Sequence, residues 1–270
     1  MKRLLILVVL YNTKVTESET LNCIEKQKLS DGDFEVIVWD NSPNNFSQEG
    51  EKSLPANYQY FRSERNESLS KIYNIAVEKA THNNFDYLCL LDQDTTISSS
   101  FFQTILDSAI DGVLSVPIIK SIRSGEVVSP RYEPKIKNIF NKGLCYPLTQ
   151  TGQQNSKRFF AIGSGFILDR ILLNKGIRFD EETHIYGVDK EFCLDYQSEI
   201  SIFNIIDEVV LHDVSHEGEM SPSRRKWQFK QIMDYRLYQY KKHSALPLIL
   251  PIISLEFRKL IFLFGEKFTR

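Results

Sequence analysis

The first 95 or so residues alternate between apolar runs and stretches with helical spacing. Leu4–Leu10 is continuously apolar, as expected of a strand that is buried on both faces. Leu69, Ile72 and Ala76 recur at helical spacing, which predicts an amphipathic helix over about 68–81. The same patterns predict a helix over about 18–29 and strands over 34–39, 58–61 and 87–91.

The second half is less regular. Residues 159–168 are apolar apart from Gly163-Ser164-Gly165, residues 203–211 predict a strand, and the pattern is helical from about 223. Strands that alternate with helices indicate an α/β fold with a mostly parallel sheet flanked by helices. We therefore predict one catalytic domain over residues 1–220 and a helical C-terminal tail over residues 221–270.

Polar residues follow three of the predicted strands directly. In largely parallel sheets, ligands bind beyond the carboxyl ends of the strands, so these residues predict the site. The three groups are Tyr11-Asn12, Asp40-Asn41 and Asp92-Gln93-Asp94.

The pair Asp92 and Asp94 is the group with the clearest chemistry. Two carboxylates separated by one residue at a strand exit can hold a divalent cation, and Mg²⁺ or Mn²⁺ would bridge naturally to a diphosphate. The alternative is a capped turn before a helix that starts near Ser98-Ser99-Ser100.

Composition narrows the class of protein. The 42% of apolar and 25% of charged residues are ordinary for a folded domain. The four cysteines are widely spaced and form no CxxC pair, which favours free thiols in a reducing cytosol. No stretch reaches the ~18–20 apolar residues of a membrane span.

Charge is distributed unevenly along the chain. From Arg224 to the end there are eleven Lys or Arg against three Asp or Glu, a balance of +8. The rest carries 22 basic and 32 acidic residues, a balance of −10, which argues against nucleic acid as a partner. The basic, aromatic-rich tail predicts contact with an anionic membrane surface; a homodimer contact and a solvated helical appendage are the alternatives.

Seven short motifs within about residues 4–216 carry a resemblance to known enzymes. They are Val9-Leu10-Tyr11-Asn12, Val38-Trp39-Asp40-Asn41-Ser42, Asn66 through Asn74-Ile75-Ala76, Leu90-Leu91-Asp92-Gln93-Asp94-Thr95, Gly163-Ser164-Gly165, Phe179-Asp180-Glu181, and Tyr186-Gly187-Val188-Asp189-Lys190-Glu191-Phe192-Cys193-Leu194. The set resembles the family 2 glycosyltransferases of the GT-A fold and, among them, bacterial rhamnosyltransferases of polysaccharide assembly. The fourth and seventh motifs are the most specific to that branch.

The resemblance implies the residues that carry the reaction. Asp189 matches the catalytic base of the family and Glu191 the nearby acidic position, although both could be solvated acids in the first turn of a helix. Asp94, with Asp92 and His212, would hold the metal, and His216 is the alternative to His212.

The resemblance also implies the binding residues. The residues expected to contact the nucleotide sugar are Tyr11, Asn12, Asp40, Asn66, Asp92 and Gln93, and those on the acceptor side are Gly163, Ser164 and Gly165. Acceptor specificity is expected in the irregular segment Lys120–Lys157.

Three positions depart from the family pattern. Ser68 stands where the family usually has Gly, which would alter the turn that faces the nucleotide. Asp195 replaces a common Arg, with loss of an ion pair or phosphate contact, and only Gly218 could serve as the Gly that follows the metal-site histidine.

These features together predict an inverting glycosyltransferase. A carboxylate would take the proton of an acceptor hydroxyl, and Mg²⁺ or Mn²⁺ would stabilise the departing nucleoside diphosphate. The expected donor is dTDP-L-rhamnose and the expected acceptor a lipid-linked precursor of a cell-surface polysaccharide, such as O-antigen or capsule. The enzyme would be cytoplasmic and peripheral on the inner face of the cell membrane.

Three other functions stay open at this point. The donor could be another dTDP- or UDP-linked sugar. A nucleotidyltransferase would usually carry a Gly-rich phosphate loop after the first strand, but Leu10–Lys14 contains no Gly. A non-catalytic subunit that binds nucleotide sugars would be expected to lack the metal or base carboxylates.

Overall fold

The computed structural model describes residues 2–29, 33–134, 145–213 and 221–243. The strands are β1 Leu4–Leu10, β2 Phe34–Asp40, β3 Tyr58–Arg62, β4 Tyr87–Asp92, β5 Thr95–Thr96, β6 Ser115–Ser121, β7 Val127–Ser129, β8 Arg131–Tyr132, β9 Tyr146–Pro147, β10 Gly152–Asn155, β11 Phe159–Phe160, β12 Ile167–Asp169 and β13 Ile202–His212. The helices are α1 Glu19–Ile24, α2 Leu69–His82, α3 Phe101–Ser108, α4 Arg170–Asn174, α5 Val188–Glu199 and α6 Pro222–His243.

Ten strands of the described residues form one twisted platform for the site. Its main path runs β10–β13–β6–β12–β4–β1–β2–β3, with β5 on β13 and β7 on β6. The strands β1 to β4 pair in parallel, as do β6 and β13, while β12 lies antiparallel between β4 and β6. The carboxyl ends of β1, β2, β4 and β13 therefore meet at one edge of the sheet.

The core lies on both faces of this sheet. Alternate residues of β1 enter different clusters: Ile6 packs with residues of α1 and α3, and Leu7 packs with residues of α2, α4 and α5. The continuous apolar run thus reflects a strand that is buried on both faces, as predicted.

The helix predicted over 18–29 is shorter than its pattern suggests. Ser18 caps α1 by accepting a hydrogen bond from the amide of Leu21, but α1 ends at Ile24. Beyond it, Gln27 donates to the carbonyl of Ser98, and these tertiary hydrogen bonds replace further helical turns. The prediction was wrong at this end because tertiary contacts outweigh helix propensity.

The segment Lys120–Lys157 is partly regular. It contains β7 to β10, which are short, and residues 135–144 lie outside the described part of the chain. Strand β10 is polar and pairs with β13 through its main chain, so no apolar pattern marks it. In the ranges that the structure describes, no helix is both long and apolar enough to cross a bilayer.

Candidate active site

The carboxyl ends of β4 and β13 bring together two carboxylates and an imidazole. Asp92 ends β4, Asp94 lies in the turn before β5, and His212 ends β13 opposite Thr95 of β5. His212 Nε2 lies 3.7 Å from Asp92 Oδ2, and His212 Nδ1 lies 3.4 Å from Asp94 Oδ1. One ligand atom from each of the three lies within 4.8 Å of the others, which allows a shared metal ion.

The donor set fits a divalent cation. Asp94 Oδ1 is buried and accepts no hydrogen bond from the described residues. Burial, with a further contribution from the charge of Asp92, raises the pKa of Asp94 to about 6. A dication would coordinate this oxygen and offset the repulsion between the carboxylates, and Mg²⁺ and Mn²⁺ both favour such oxygen ligands. His216, the alternative ligand, lies outside the described residues.

The buried hydroxyls of Ser164 and Thr95 contact this cluster. Ser164 Oγ accepts a hydrogen bond of 3.0 Å from the amide of Asp92 and lies 2.7 Å from Thr95 Oγ1. Thr95 Oγ1 lies 3.4 Å from His212 Nδ1. The Ser164 side chain is 1% exposed and contacts Asp92 and Thr95, and its expected place on the acceptor side stays a prediction.

The two glycines beside Ser164 allow different close contacts. A Cβ on Gly163 would lie 2.7 Å from Asp189 Oδ1. Gly165 has a φ of +101°, and a Cβ there would lie 2.6 Å from Pro117 Cγ of β6. Gly163 therefore borders the predicted base, whereas Gly165 packs on the sheet.

Asp189 lies in the first turn of α5, as its alternative interpretation also required. Burial is the main cause that raises the pKa of Asp189 to about 7, and the charge of Asp92 adds to it. The amide of Gly163 and the charge of His212 act in the opposite direction. A carboxylate with a pKa close to neutral, within electrostatic reach of Asp92 and His212, is suited to accept a proton.

Glu191 is oriented differently from Asp189. Its side chain is fully buried, and both carboxylate oxygens accept hydrogen bonds from α6. Burial alone would raise the pKa of Glu191, but the bonds from His243 and Tyr235 lower it. The structure thus gives Glu191 structural partners on α6, and its expected catalytic role finds no free carboxylate oxygen.

The ends of β1, β2 and β4 are tied together on the nucleotide side. The amide of Tyr11 donates to Gln93 Oε1 at 2.7 Å, and the amide of Asn12 donates to Ser42 Oγ at 2.8 Å. Asn12 has a φ of +52°, which Asn tolerates better than most residues. The Tyr11 side chain is 46% exposed at this edge.

Asp40 is buried among partners of its own. It accepts hydrogen bonds from the Ser42 amide at 3.0 Å, Gln48 Nε2 at 3.1 Å and Tyr60 Oη at 2.7 Å. Burial would raise the pKa of Asp40, but these hydrogen bonds together lower it. The expected contact between Asp40 and the nucleotide stays a prediction. It requires the side chain of Gln48 or Tyr60 to move away from the Asp40 carboxylate.

The structure brings Asn66 to the same edge. Asn66 is exposed, and its Oδ1 accepts a hydrogen bond of 2.8 Å from Asn41 Nδ2. Ser68, one of the departures from the family pattern, caps α2 by accepting a hydrogen bond from the amide of Lys71. The altered residue therefore has a local role in starting that helix.

Several supporting residues could not be found from the sequence. The hydroxyl of Thr20 accepts from the amide of Thr95 at 2.9 Å and also contacts the carbonyl of Asp92. Thr20 and Tyr60 lie within predicted elements and Gln48 lies between two of them, but no local pattern pairs any of the three with the strand ends. Only the polar position of Asn41 directly after β2 gave a usable signal.

A comparison with protein families matches residues 5–176 to the family described as Glycosyl transferase family 2. The chain belongs to that family. The match ends before α5, so Asp189, Glu191 and His212 lie outside the matched residues. A comparison with curated protein sequences finds no match for this family 2 member.

Solved structures of glycosyltransferases have the same fold. A crystal structure of S. aureus TarS 1–349 in complex with UDP-GlcNAc has 15% identity and a TM-score of 0.53, covering 94% of this chain and 70% of that one. A structure of GalNAc-T7 with UDP, GalNAc and Mn²⁺ has 14% identity and a TM-score of 0.58, covering 92% of this chain and 52% of that one. The predicted GT-A fold is confirmed.

Proposed function

We propose that this chain is an inverting, metal-dependent glycosyltransferase that moves L-rhamnose from dTDP-L-rhamnose to a hydroxyl of a lipid-linked cell-surface polysaccharide precursor. The observation that carries the proposal is the juxtaposition at one sheet edge of the Asp92–Asp94–His212 cluster with Asp189. A metal-binding set next to a carboxylate of raised pKa supplies both functions that sugar transfer needs.

The base side of the proposed reaction is Asp189. With its pKa near 7, the carboxylate takes the proton of the acceptor hydroxyl as the oxygen attacks the anomeric carbon. The nucleoside diphosphate leaves from the opposite face, so a single displacement inverts the configuration.

The leaving-group side lies at the ends of β4 and β13. Asp92, Asp94 and His212 would hold Mg²⁺ or Mn²⁺, which supplies stabilisation of the negative charge on the diphosphate. The Ser164 and Thr95 hydroxyls keep these ligands in place before substrate arrives. Tyr11, Asn12, Gln93 and Asn66 frame the nucleotide at the neighbouring strand ends.

The rhamnosyl donor rests on the Asp92–Thr95 and Val188–Leu194 motifs. A UDP-linked sugar is the second candidate, because the structural neighbours TarS and GalNAc-T7 were solved with UDP-GlcNAc and with UDP. Both candidates require the same metal cluster and the same catalytic base, Asp189. They differ only in how the nucleobase and the sugar of the donor are recognised.

Donor choice is tested by calorimetric titration with dTDP, UDP and GDP in Mg²⁺ or Mn²⁺, and again in EDTA. Binding of dTDP that is lost in EDTA, followed by transfer from dTDP-L-rhamnose, is the expected result. A preference for UDP or GDP discards rhamnose and keeps the class. Failure of folded protein to bind any of the three favours the non-catalytic alternative.

The proposed location is the cytoplasmic face of the cell membrane, with the tail over residues 221–270 as the contact. The exposed residues Arg224, Trp227 and Lys230 of α6 support an anionic lipid surface; residues 244–270 lie outside the described part. The full chain should float with phosphatidylglycerol vesicles and not with phosphatidylcholine vesicles. An Arg224→Glu, Lys230→Glu variant should remain in solution; equal flotation of both proteins excludes this contact.

A further inference from the structure

Glu191 receives four side chains from one face of α6. Its Oε1 accepts hydrogen bonds from Tyr235 Oη at 2.9 Å and Gln239 Nε2 at 3.2 Å. Its Oε2 lies 2.7 Å from His243 Nε2 and 3.3 Å from Lys242 Nζ. A fully buried carboxylate is strongly destabilising unless such partners are present, so the docking of α6 and the burial of Glu191 depend on each other.

A second contact lies just before α5. Gly187 has a φ of +93°, and a Cβ there would lie 2.2 Å from the ring of Tyr235. The preceding residue, Tyr186, accepts a hydrogen bond of 2.7 Å from Gln228. The Tyr235 ring therefore packs directly on the backbone where α5 begins.

A third set of contacts joins α6 to the segment before α5 and to α5 itself. Lys242 Nζ lies 2.5 Å from Asp180 Oδ2 and 3.1 Å from Asp195 Oδ2, and Tyr238 donates to Asp180. Asp195 is the residue that replaces the common Arg of the family pattern. Its carboxylate provides a partner for α6 where an arginine would repel Lys242.

Asp189 lies between two of these contacts, Gly187 and Glu191. We infer that Glu191 is a positioning residue. Its hydrogen bond with Tyr235 of α6 fixes the first turn of α5 and thereby holds Asp189 against Gly163. The inference rests on the proposed function, in which Asp189 is the base. It assigns α6 a role inside the catalytic domain and not only in the tail.

The contacts between α6 and the start of α5 lie beside the candidate active site and not in the main core. Met233 is the one apolar side chain of the described part of α6 that is buried, and it belongs to neither core cluster. The contacts of α6 described above are mostly polar contacts to α5 and to the segment before it. Loss of one contact should loosen the first turn of α5 without unfolding the sheet.

The test compares Tyr235→Phe and Glu191→Gln with the matched control Asp234→Asn, a carboxylate-to-amide change on the exposed side of α6. The first two variants should lower kcat by about tenfold or more, since ~1 Å of misplacement can cost ~10²-fold. The KM for donor and the metal-dependent nucleotide affinity should change less than about threefold, and the control should match the wild type. A loss confined to donor KM overturns the positioning role.

A double-variant cycle gives a readout that a merely structural role would not move. Gly163→Ala displaces Asp189 directly, so Tyr235→Phe should add little further loss of kcat to it. Fully additive losses would show that the two changes act independently and overturn the inference.

Amide exchange separates this inference from the proposed function. The amide of Glu191 donates to the carbonyl of Gly187 at 2.8 Å, the first helical bond of α5. Tyr235→Phe should speed exchange over 187–192 while leaving β4 protected, whether or not a donor sugar has been found. Unchanged amide exchange over these residues would overturn the inference that the Glu191–Tyr235 contact fixes the first turn of α5. Failure of wild type to transfer any sugar overturns the proposed function alone.

Discussion

Asp40 is a buried carboxylate and Asp189 a half-buried one, and the two differ in the hydrogen-bond donors around them. Asp40 accepts hydrogen bonds from Ser42, Gln48 and Tyr60, and its pKa is lowered. Asp189 has the amide of Gly163 as its main stabilising neighbour, and its pKa is raised to about 7. Burial raises the pKa in both cases, so the supply of donors decides which carboxylate is structural and which is available for chemistry.

The same contrast separates two regions of the site. At the strand ends around Asp40, nearby groups already fill the hydrogen-bonding capacity of the carboxylate. Such an arrangement suits a rigid surface against which a nucleotide can bind. The region around Asp94 and Asp189 keeps a buried Asp94 oxygen that accepts no hydrogen bond from the described residues, and the pKa values of both carboxylates are raised, which suits cation binding and proton transfer.

The largest expected effect comes from removing the proposed base. Asp189→Asn should lower kcat by about 10³-fold, within the ~10²–10⁴ typical of general base catalysis. Nucleotide binding in Mn²⁺ should persist, because the metal cluster is intact. Steady-state kinetics and calorimetry on the same protein measure both; unchanged turnover would falsify the role of Asp189.

The next effect concerns the metal cluster. Asp94→Asn should weaken nucleotide binding in Mn²⁺ by more than the ~10–100-fold that loss of a supporting partner costs, because a ligand itself is lost. Addition of EDTA to this variant should cause little further change. If the variant binds as tightly as wild type and remains sensitive to EDTA, the metal lies elsewhere.

A smaller effect is expected at Gly163. Its backbone is compatible with alanine, but the added Cβ would lie 2.7 Å from Asp189 Oδ1, so Gly163→Ala should displace the carboxylate. A fall in kcat of up to ~10²-fold is expected with an unchanged unfolding temperature. In an Asp189→Asn background the same change should have almost no effect, and a further large loss there would contradict the explanation.

The smallest expected effect is the pH dependence, in which kcat/KM falls about tenfold for each pH unit below the pKa of Asp189. Because Asp189 must be deprotonated to act, kcat/KM should fall as the pH drops below about 7, whereas an ordinary Asp would keep its charge down to about pH 4. A bound cation lowers this value, so the acid limb should lie between the two. A limb near 4 in a profile from pH 4 to 9 would indicate a fully solvated Asp189.

The sequence was sufficient for the parallel half of the fold. Buried strands such as β1 and β4 carry unbroken apolar runs, and the polar residues that follow them mark the site edge directly. Strand β6 escaped prediction because it contains Pro117, which usually argues against a central strand. In the structure the register between β6 and β13 shifts between Val116 and Ile118, so Pro117 lies at an irregularity of the ladder, where proline is tolerated.

The site was predictable only in part, because its supports come from distant segments. The Asp92–Asp94 pair is visible as a motif, but Ser164 under Asp92 and Tyr235 on Glu191 are contacts across 72 and 44 positions. No local pattern reports such contacts. For the same reason Glu191 was expected to act beside Asp189, although its carboxylate accepts hydrogen bonds from another helix.

The distance along the chain between the cluster's ligands has a consequence for folding. Asp92 lies in β4 and His212 in β13, and the strands β5 to β12 come between them in the sequence. An unfolded chain therefore has no such preformed site. A cation that binds only the folded state adds about 2.7 kcal/mol of stability at a hundred times its dissociation constant. Divalent metal would thus stabilise the assembled protein itself, and the unfolding temperature would rise with metal concentration even without substrate.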